Sequence, residues 1–210
     1  MRRAGSTCGL VSSQITSKFQ PHVVNPKIER SRFMALQLVD GSQMGGEEEG
    51  IVVDMCLEDI DLSEQFVEDL RWDAHSIISS VFNPESDLDY DEHIELSIVL
   101  CSDVWIRGLN KKWRQKDTAT DVLSFPQETD NDILGDLVIS VQTAEAQAAE
   151  RGHDLRHEMR VLMVHGFLHL LGYDHETGEE DKAEMARAED KLLSRLGWQS
   201  AGLIARVEGE

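Results

Sequence analysis

The sequence has little cysteine, and its few cysteines exclude a disulfide framework. The three cysteines are an odd number and include no Cys-x-x-Cys pair, so we expect reduced, buried thiols in a reducing compartment. No apolar run is long enough to span a bilayer, and the N-terminal segment lacks the continuous apolar core of a secretory signal. These absences exclude a secreted disulfide scaffold and predict no membrane partner.

Positive charge is also scarce, and it is unevenly distributed. The chain has 20 Lys and Arg against 40 Asp and Glu, a net charge of −20. Residues 1–39 carry six basic residues and one acid, a charge of +5, which leaves −25 for residues 40–210. A basic, acid-poor head resembles an organelle transit peptide, plastid or mitochondrial, and we predict a leader and linker over residues 1–50. The alternatives are a basic arm without an address and translation from Met34, which would give a cytoplasmic product.

Strands and helices interleave over residues 51–200. Aliphatic runs predict strands at 51–56, 94–101, 121–126 and 132–141, and Pro126 predicts that the third of these is an edge strand. Helical spacing predicts helices at about 62–81, 103–113, 143–151, 154–171 and 179–196. We therefore expect an α+β domain in which helices pack on a small mixed sheet, an acidic solvated loop at 83–92, and a C-terminal tail at 201–210.

Three histidines are spaced to hold one metal ion. His165 and His169 lie four apart on a predicted helix, so their rings share one face. Gly172 permits a left-handed turn that returns His175 toward them. Three imidazoles leave a fourth position open for water, which is typical of a catalytic zinc site. The alternative is that these are core histidines of an amphipathic helix. The predicted helix is thus a metal-binding helix followed by a glycine turn.

The residue after the first histidine bears on which class of zinc enzyme the sequence encodes. A zinc peptidase of the His-Glu-x-x-His type keeps its general base at this position. Here the position holds Gly166, so the base is missing from its usual place. A peptidase remains a rival interpretation, with the edge strand 121–125 aligning a peptide.

Five basic residues form an island in an otherwise acidic segment. They are Arg107, Lys111, Lys112, Arg114 and Lys116. Lysine and arginine bind a nucleic-acid backbone, and arginine can clamp one phosphate with two hydrogen bonds. The alternative is a solvated helix face. Because the surrounding charge repels RNA at long range, binding here would have to be local.

Three motifs together resemble the YbeY endoribonucleases. They are Leu109-Asn-Lys-Lys-Trp-Arg-Gln-Lys-Asp-Thr-Ala-Thr-Asp-Val-Leu-Ser-Phe-Pro126, Leu134-Gly-Asp-Leu-Val-Ile-Ser140 and the block from His165 to His175, in this order. The likeness covers about residues 51–200 and continues through Met185, Glu189 and Leu196-Gly197. The stretch from Leu196 to Ile204 is similar to the version found in plant and algal plastids.

The resemblance implies a zinc-dependent hydrolase that matures ribosomal RNA. It implies one zinc ion held by His165, His169 and His175, a catalytic role for Arg114, and a plastid location. Single-stranded rRNA and a ribosomal subunit or ribosomal protein would be the partners. We predict that metal-activated water attacks a phosphodiester, with Arg114 stabilising the developing charge and Lys112 and Lys116 binding substrate. A further rival is a non-enzymatic ribosome-assembly factor in which the metal only stabilises the turn.

The general base stays open. Asp121, Asp174 and Glu176 are candidates, and we favour Asp174 as the residue that orients a ligand imidazole. A second pair of histidines four apart, His153 and His157, has no third partner and is interpreted as a surface face rather than a second metal site.

Overall fold

The structure is a computed structural model that describes residues 50–82, 94–127 and 133–207. The leader and nearly all of the linker predicted at 1–50, and the acidic loop predicted at 83–92, lie outside the described residues. Within the described ranges the elements follow the chain in the order β1 (Ile51–Glu58), α1 (Glu64–Val81), β2 (Ile94–Cys101), α2 (Asp103–Arg114), β3 (Val122–Pro126), β4 (Ile133–Ser140), α3 (Val141–Arg151), α4 (Leu155–Leu170), α5 (Glu179–Arg195) and α6 (Leu203–Val207).

The four strands form one mixed sheet in the order β1-β2-β4-β3. Strands β1, β2 and β4 run parallel, and β3 pairs antiparallel with β4. The β1–α1–β2 and β2–α2–β3–β4 connections explain the parallel part, because parallel neighbours need a long crossover. The predicted α+β fold is confirmed, and β3, which ends at Pro126, is an edge strand as predicted.

Side-chain caps fix where four helices begin. Ser63 accepts a hydrogen bond from the third residue of α1, and Ser102 and Ser140 do the same for α2 and α3. Asp154 accepts from the His157 amide at the start of α4. Each side chain satisfies one amide that the helix leaves without a partner. Because Ser102 directly follows β2 and Ser140 is the last residue of β4, the caps also place the starts of α2 and α3 at the same edge of the sheet.

Helices cover both faces of the sheet. One face packs against α1 and α4, and α5 packs onto these two helices, which gives a large apolar core that includes Leu70, Ile98, Leu137 and Phe167. The other face packs against α2 through a smaller cluster in which Val99, Ile106, Leu109, Phe125 and Val138 take part. The residues of β2 and β4 alternate between these two clusters, as the period of two along a strand requires.

Helix α6 has no counterpart among the predicted elements. It is five residues long, shorter than a hydrophobic periodicity can reveal. Leu203 and Ile204 are nevertheless buried in the large core, so this segment is packed onto the domain. Among the described helices, none combines the length and apolar character that a membrane span requires.

Candidate metal centre

Helix α4 lies at the centre of the molecule and carries the first two histidines. It packs against α1, α3, α5 and α6 and against strands β3 and β4. Almost every residue from Glu158 to Leu170 is therefore buried. A helix surrounded in this way is apolar on most sides, so its buried polar residues stand out. His165 is one of them, with only 5% of its surface exposed.

A glycine turn brings the third histidine back to the helix. Gly172 has a φ of +89°, in the left-handed region that glycine adopts without strain. The Gly172 amide donates to the His169 carbonyl at 3.0 Å, and the Tyr173 amide donates to the Leu168 carbonyl at 3.1 Å. These two bonds make up a Schellman motif, which reverses the chain at a helix end. The reversal predicted from Gly172 is thus present.

The three imidazoles surround one point. Their ring centroids are 4.7 Å apart for His165 and His169, 5.2 Å for His165 and His175, and 5.1 Å for His169 and His175. One nitrogen of each ring lies within 4.8 Å of the other two. Ligands of one tetrahedral zinc lie about 3.3 Å apart, from a bond length of about 2.0–2.1 Å. The Nε2 atoms of His165 and His169, 3.1 Å apart, already have that spacing.

The environment favours the neutral form of two of these rings, those of His169 and His175. Burial, and then the neighbouring rings of His165 and His175, lower the pKa of His169 from 6.5 to about 3. Burial and His165 also lower the pKa of His175, although Glu176 and Asp174 act in the opposite direction. Because a neutral imidazole is the form that binds a cation, the donor set suits a metal ion at neutral pH. These three histidines can bind one metal ion.

A buried carboxylate orients the first of the three rings. The Nδ1 atom of His165 is 2.7 Å from Oε1 of Glu189, a residue of α5 with no exposed surface. An ionised carboxylate only accepts hydrogen bonds, so Nδ1 carries the proton and Nε2 keeps its lone pair for a metal. The prediction had favoured Asp174 for this role. Asp174 instead accepts a hydrogen bond from the Glu176 amide.

Arg114 lies beside the histidines although it comes from a different helix. It ends α2, where Gln115 turns the chain in the left-handed conformation. Its Nη2 atom is 2.6 Å from Oε1 of Glu176, the residue after His175. The positive charge of Arg114 is also one cause of the lowered pKa of His169. A guanidinium and the three imidazoles therefore share one region of the surface.

The remaining basic residues divide into two groups. Arg107 and Lys111 each contact Asp117 at 2.7 Å, and these bonds lower the pKa of Asp117 to about 2. Lys112 and Lys116 are exposed, and the Lys112 ammonium lies 4.5 Å from the centroid of the Trp113 ring. Asp117 thus neutralises part of the charge of the basic island through Arg107 and Lys111. Lys112 and Lys116 form the second, exposed group.

Gly166 has a packing role that explains why no acid follows the first histidine. A methyl group at this position would lie 2.9 Å from a methyl carbon of Leu137 and 3.2 Å from Val122 Cγ2. The Gly166 carbonyl also accepts a hydrogen bond from the Ser124 hydroxyl at 3.1 Å. A glutamate would therefore collide with strands β3 and β4. The general base of a His-Glu-x-x-His peptidase does not fit here.

Another candidate base and the second histidine pair have structural partners. The Asp121 carboxylate accepts from the Val122 amide and from Gln147. His153 bonds through Nε2 to the fully buried Glu158, and so this pair is not the solvated face that the sequence suggested. Within the described residues, the only group of three or more residues that could hold a metal is the His165, His169 and His175 cluster.

Comparisons with known proteins identify the relatives of this chain. A family model described as "Endoribonuclease YbeY" matches residues 61–197. The protein named "Endoribonuclease YBEY, chloroplastic" from Arabidopsis thaliana is 42% identical over 174 residues, which are 72% of this chain. This chain spans 30% of the length of that relative. "Endoribonuclease YbeY" from a Sulfurihydrogenibium species is 51% identical over 108 residues, 50% of this chain and 71% of the relative.

The solution structure of TM1509 from Thermotoga maritima is similar with a TM-score of 0.46 and 25% identity, over 68% of this chain and 88% of that one. The family model matches more than half of the chain and includes all three histidines, Arg114 and Glu189. The chain belongs to the YbeY endoribonuclease family.

Proposed function

We propose that this chain is a zinc-dependent endoribonuclease that cleaves single-stranded ribosomal RNA during ribosome maturation. One observation carries the proposal: three imidazoles that can hold one cation lie beside an arginine. The arrangement combines cation ligands with a fixed positive charge, and both can stabilise the negative charge that develops during hydrolysis of a phosphodiester. Residues 51–200 would form the catalytic domain.

His165, His169 and His175 would hold the ion. Three imidazoles without a thiolate or a carboxylate are a donor set that zinc accepts readily, with one position left for a non-protein ligand. When bound, the metal would supply Lewis acidity, lowering the pKa of a water molecule and balancing negative charge at the scissile phosphate. Glu189 keeps the His165 lone pair directed to the site.

Arg114 would bind a non-bridging oxygen of the scissile phosphate. In the absence of substrate its guanidinium is paired with Glu176 at 2.6 Å, and the side chains of both residues are more than a third exposed. An exposed pair of this kind contributes little to stability, so a phosphate can replace the carboxylate at small cost. The pairing with Glu176 thus keeps Arg114 near the histidines, where a phosphate can reach it.

Lys112 and Lys116 would bind the RNA backbone next to Arg114. Both are exposed on or just after the last turn of α2. Each lysine that neutralises a phosphate releases counterions, so binding should weaken as salt increases. The net charge of −20 for the chain favours contacts limited to this basic side of the molecule. A ribosomal subunit or ribosomal protein would present the rRNA.

A plastid is the compartment in which we expect the protein to act. The basic, acid-poor composition of residues 1–39 is typical of a transit peptide. The similar Arabidopsis protein is named chloroplastic. N-terminal sequencing of the mature protein from isolated plastids tests this, because a processed N-terminus between residues 1 and 50 is expected.

End-mapping of ribosomal RNA tests the proposed substrate. Cells that lack this chain should accumulate unprocessed rRNA ends, and expression of the wild-type chain should restore the processed ends. Arg114→Ala should not, since loss of one charge-stabilising donor costs about 100- to 1,000-fold in kcat. Arg114→Lys should rescue only in part, because lysine keeps the charge but lacks the two-pronged donor. Unchanged rRNA ends in cells without the chain would rule out this substrate.

Purified protein separates this function from its two rivals. The full chain loaded with zinc should cleave unstructured RNA and leave an unstructured peptide intact, and a peptidase would give the opposite result. An assembly factor would cleave neither. His75→Ala, on helix α1 and outside the site, is the control variant and should cleave RNA at the wild-type rate.

A further inference from the structure

The carboxylate that orients His165 is itself held by the C-terminal segment. Oε1 of Glu189 bonds to His165, and Oε2 accepts a hydrogen bond from the backbone amide of Ile204 at 3.0 Å. Ile204 is the second residue of α6. The family model ends at residue 197, so this donor lies beyond the part of the chain that the family description covers.

The backbone at Gly202 lies against the same carboxylate. A methyl group at this position would lie 2.4 Å from Oε2 of Glu189 and 2.6 Å from its Cβ. The Gly202 amide donates to Asp190 at 3.2 Å, and the next two residues, Leu203 and Ile204, are buried in the core. The backbone therefore approaches Glu189 so closely that only a glycine fits between them.

These contacts fix the position of both carboxylate oxygens. Glu189 has no exposed surface, and within the described part of the chain the side chain that bonds to its carboxylate is the His165 ring. A buried carboxylate needs its hydrogen-bond donors. With the Ile204 amide on one oxygen, the other is directed at Nδ1 of His165. Carboxylate partners of metal-binding histidines set ring orientation and basicity, and their loss costs about 10- to 100-fold in metal affinity.

We propose that the segment Gly202–Ile204 is part of the metal centre and positions His165 through Glu189. Its residues contact neither the metal nor the substrate, and they act as positioning residues. The inference rests on the metal binding assumed in the proposed function. It predicts that a substitution in this segment, which Glu189 and His165 separate from the ion, lowers metal affinity while the domain stays folded.

Cobalt titration of the full chain tests the proposal, because the visible absorption of bound Co²⁺ reports both affinity and ligand geometry. Gly202→Ala should weaken Co²⁺ binding by about 10- to 100-fold and alter the visible band. Gly202 has no left-handed backbone angle, so the added methyl acts through its contact with Glu189. Gly108→Ala is the matched control, since a methyl there meets no atom within 4 Å, and it should bind Co²⁺ like the wild type.

A second pair of variants tests the proposal even if the Gly202→Ala protein does not fold. Glu189→Gln should weaken Co²⁺ binding to a similar degree. Glu158→Gln changes another fully buried glutamate that contacts a histidine outside the metal site, and it should leave the affinity within about twofold of wild type. Circular dichroism checks that each protein is folded.

The possible failures are distinguishable. Wild-type affinity in Gly202→Ala and Glu189→Gln, in a wild type that binds Co²⁺ stoichiometrically, would overturn this inference alone. A wild type that binds no Co²⁺ would overturn the metal site and the proposed function with it. A wild type that binds Co²⁺ but does not cleave RNA would remove the proposed function and leave the positioning role to be judged by the titration.

Discussion

The molecule contains two pairs of histidines four residues apart, and they are used in different ways. His153 and His157 stack with ring centroids 4.5 Å apart, and His165 and His169 meet edge to face at 4.7 Å. In each pair the first histidine bonds to a glutamate with no exposed surface, Glu158 or Glu189. Spacing and a buried acid are therefore common to the candidate metal centre and to a structural cluster.

The difference lies in what balances the buried charge. Glu158 has an arginine, because Nη1 of Arg151 lies 2.7 Å from its Oε1. Glu189 has a backbone amide and His165 in its place. A buried carboxylate without a cationic side chain is expensive, and a metal ion on the far nitrogen of His165 would supply the missing positive charge. The first pair is complete in itself, and we propose that a cation completes the second.

Removal of one histidine from each pair should give the largest contrast. His169→Ala deletes a ligand, so rRNA cleavage should fall by more than about 100-fold, because even an indirect partner of a metal ligand contributes 10- to 100-fold. His157→Ala should stay within about twofold. Initial rates on one RNA at saturating zinc measure both. Equal losses in the two variants would show that the pairs do not differ as described.

The structural cluster should respond in stability rather than in metal binding. Arg151→Ala leaves the buried Glu158 without its cation, and the free energy of unfolding should decrease by about 3–5 kcal/mol. Zinc affinity of the folded protein should not change. Urea unfolding and zinc titration measure the two quantities. A weakened zinc affinity would mean that the clusters are coupled through α4.

Metal should stabilise the fold without being required for it. Zinc at about 100 times its dissociation constant should add about 2.7 kcal/mol, which raises Tm by about 5–10 °C in a domain of this size. His175→Ala should abolish the increase, and His153→Ala should keep it. If the chelated wild type is unfolded at room temperature, the metal is structural, as the assembly-factor alternative requires.

Acid should destabilise the metal-free protein through His169. Its pKa falls from 6.5 in the unfolded chain to about 3 in the fold, so between these values the unfolded chain binds a proton that the folded chain does not. The contribution of His169 to the free energy of unfolding is fully present above about pH 6.5 and decreases as the pH falls toward 3. At about pH 5 the loss from this group is about 2 kcal/mol.

Urea midpoints at about pH 7.5 and about pH 5, with a chelator present, measure that loss. The midpoint of His169→Ala should fall less than that of the wild type. His75→Ala, which changes a histidine away from the metal centre, should behave like the wild type. An identical decline in His169→Ala would contradict the assigned cause.

The elements near the metal were predictable because their signals are local. Helical spacing placed His165 and His169 on one face, and Gly172 predicted the reversal that returns His175. Pro126 predicted an edge strand for the reason that holds in the fold: its nitrogen has no hydrogen to donate. Each signal depends on residues within about a dozen positions of one another.

The contacts that complete the site were not predictable because they depend on packing. Glu189 reaches His165 across 24 residues, and Glu176 reaches Arg114 across 62. Which acid meets which ring is decided by how α5 and α2 pack against their neighbours, and no local pattern encodes this. The sequence favours Asp174, next to His175, for the orienting role, but in the fold its carboxylate accepts a hydrogen bond from the Glu176 backbone amide.

X-ray absorption by the zinc-loaded full chain tests the central claim most directly. The account predicts one zinc per chain, bound by three imidazole nitrogens at about 2.0–2.1 Å and one oxygen of a non-protein ligand. His175→Ala, which removes the histidine beyond the glycine turn, should lose one imidazole contribution from the spectrum. A sulfur ligand, four protein ligands, or an unchanged spectrum in His175→Ala would contradict a catalytic zinc centre built from these three histidines.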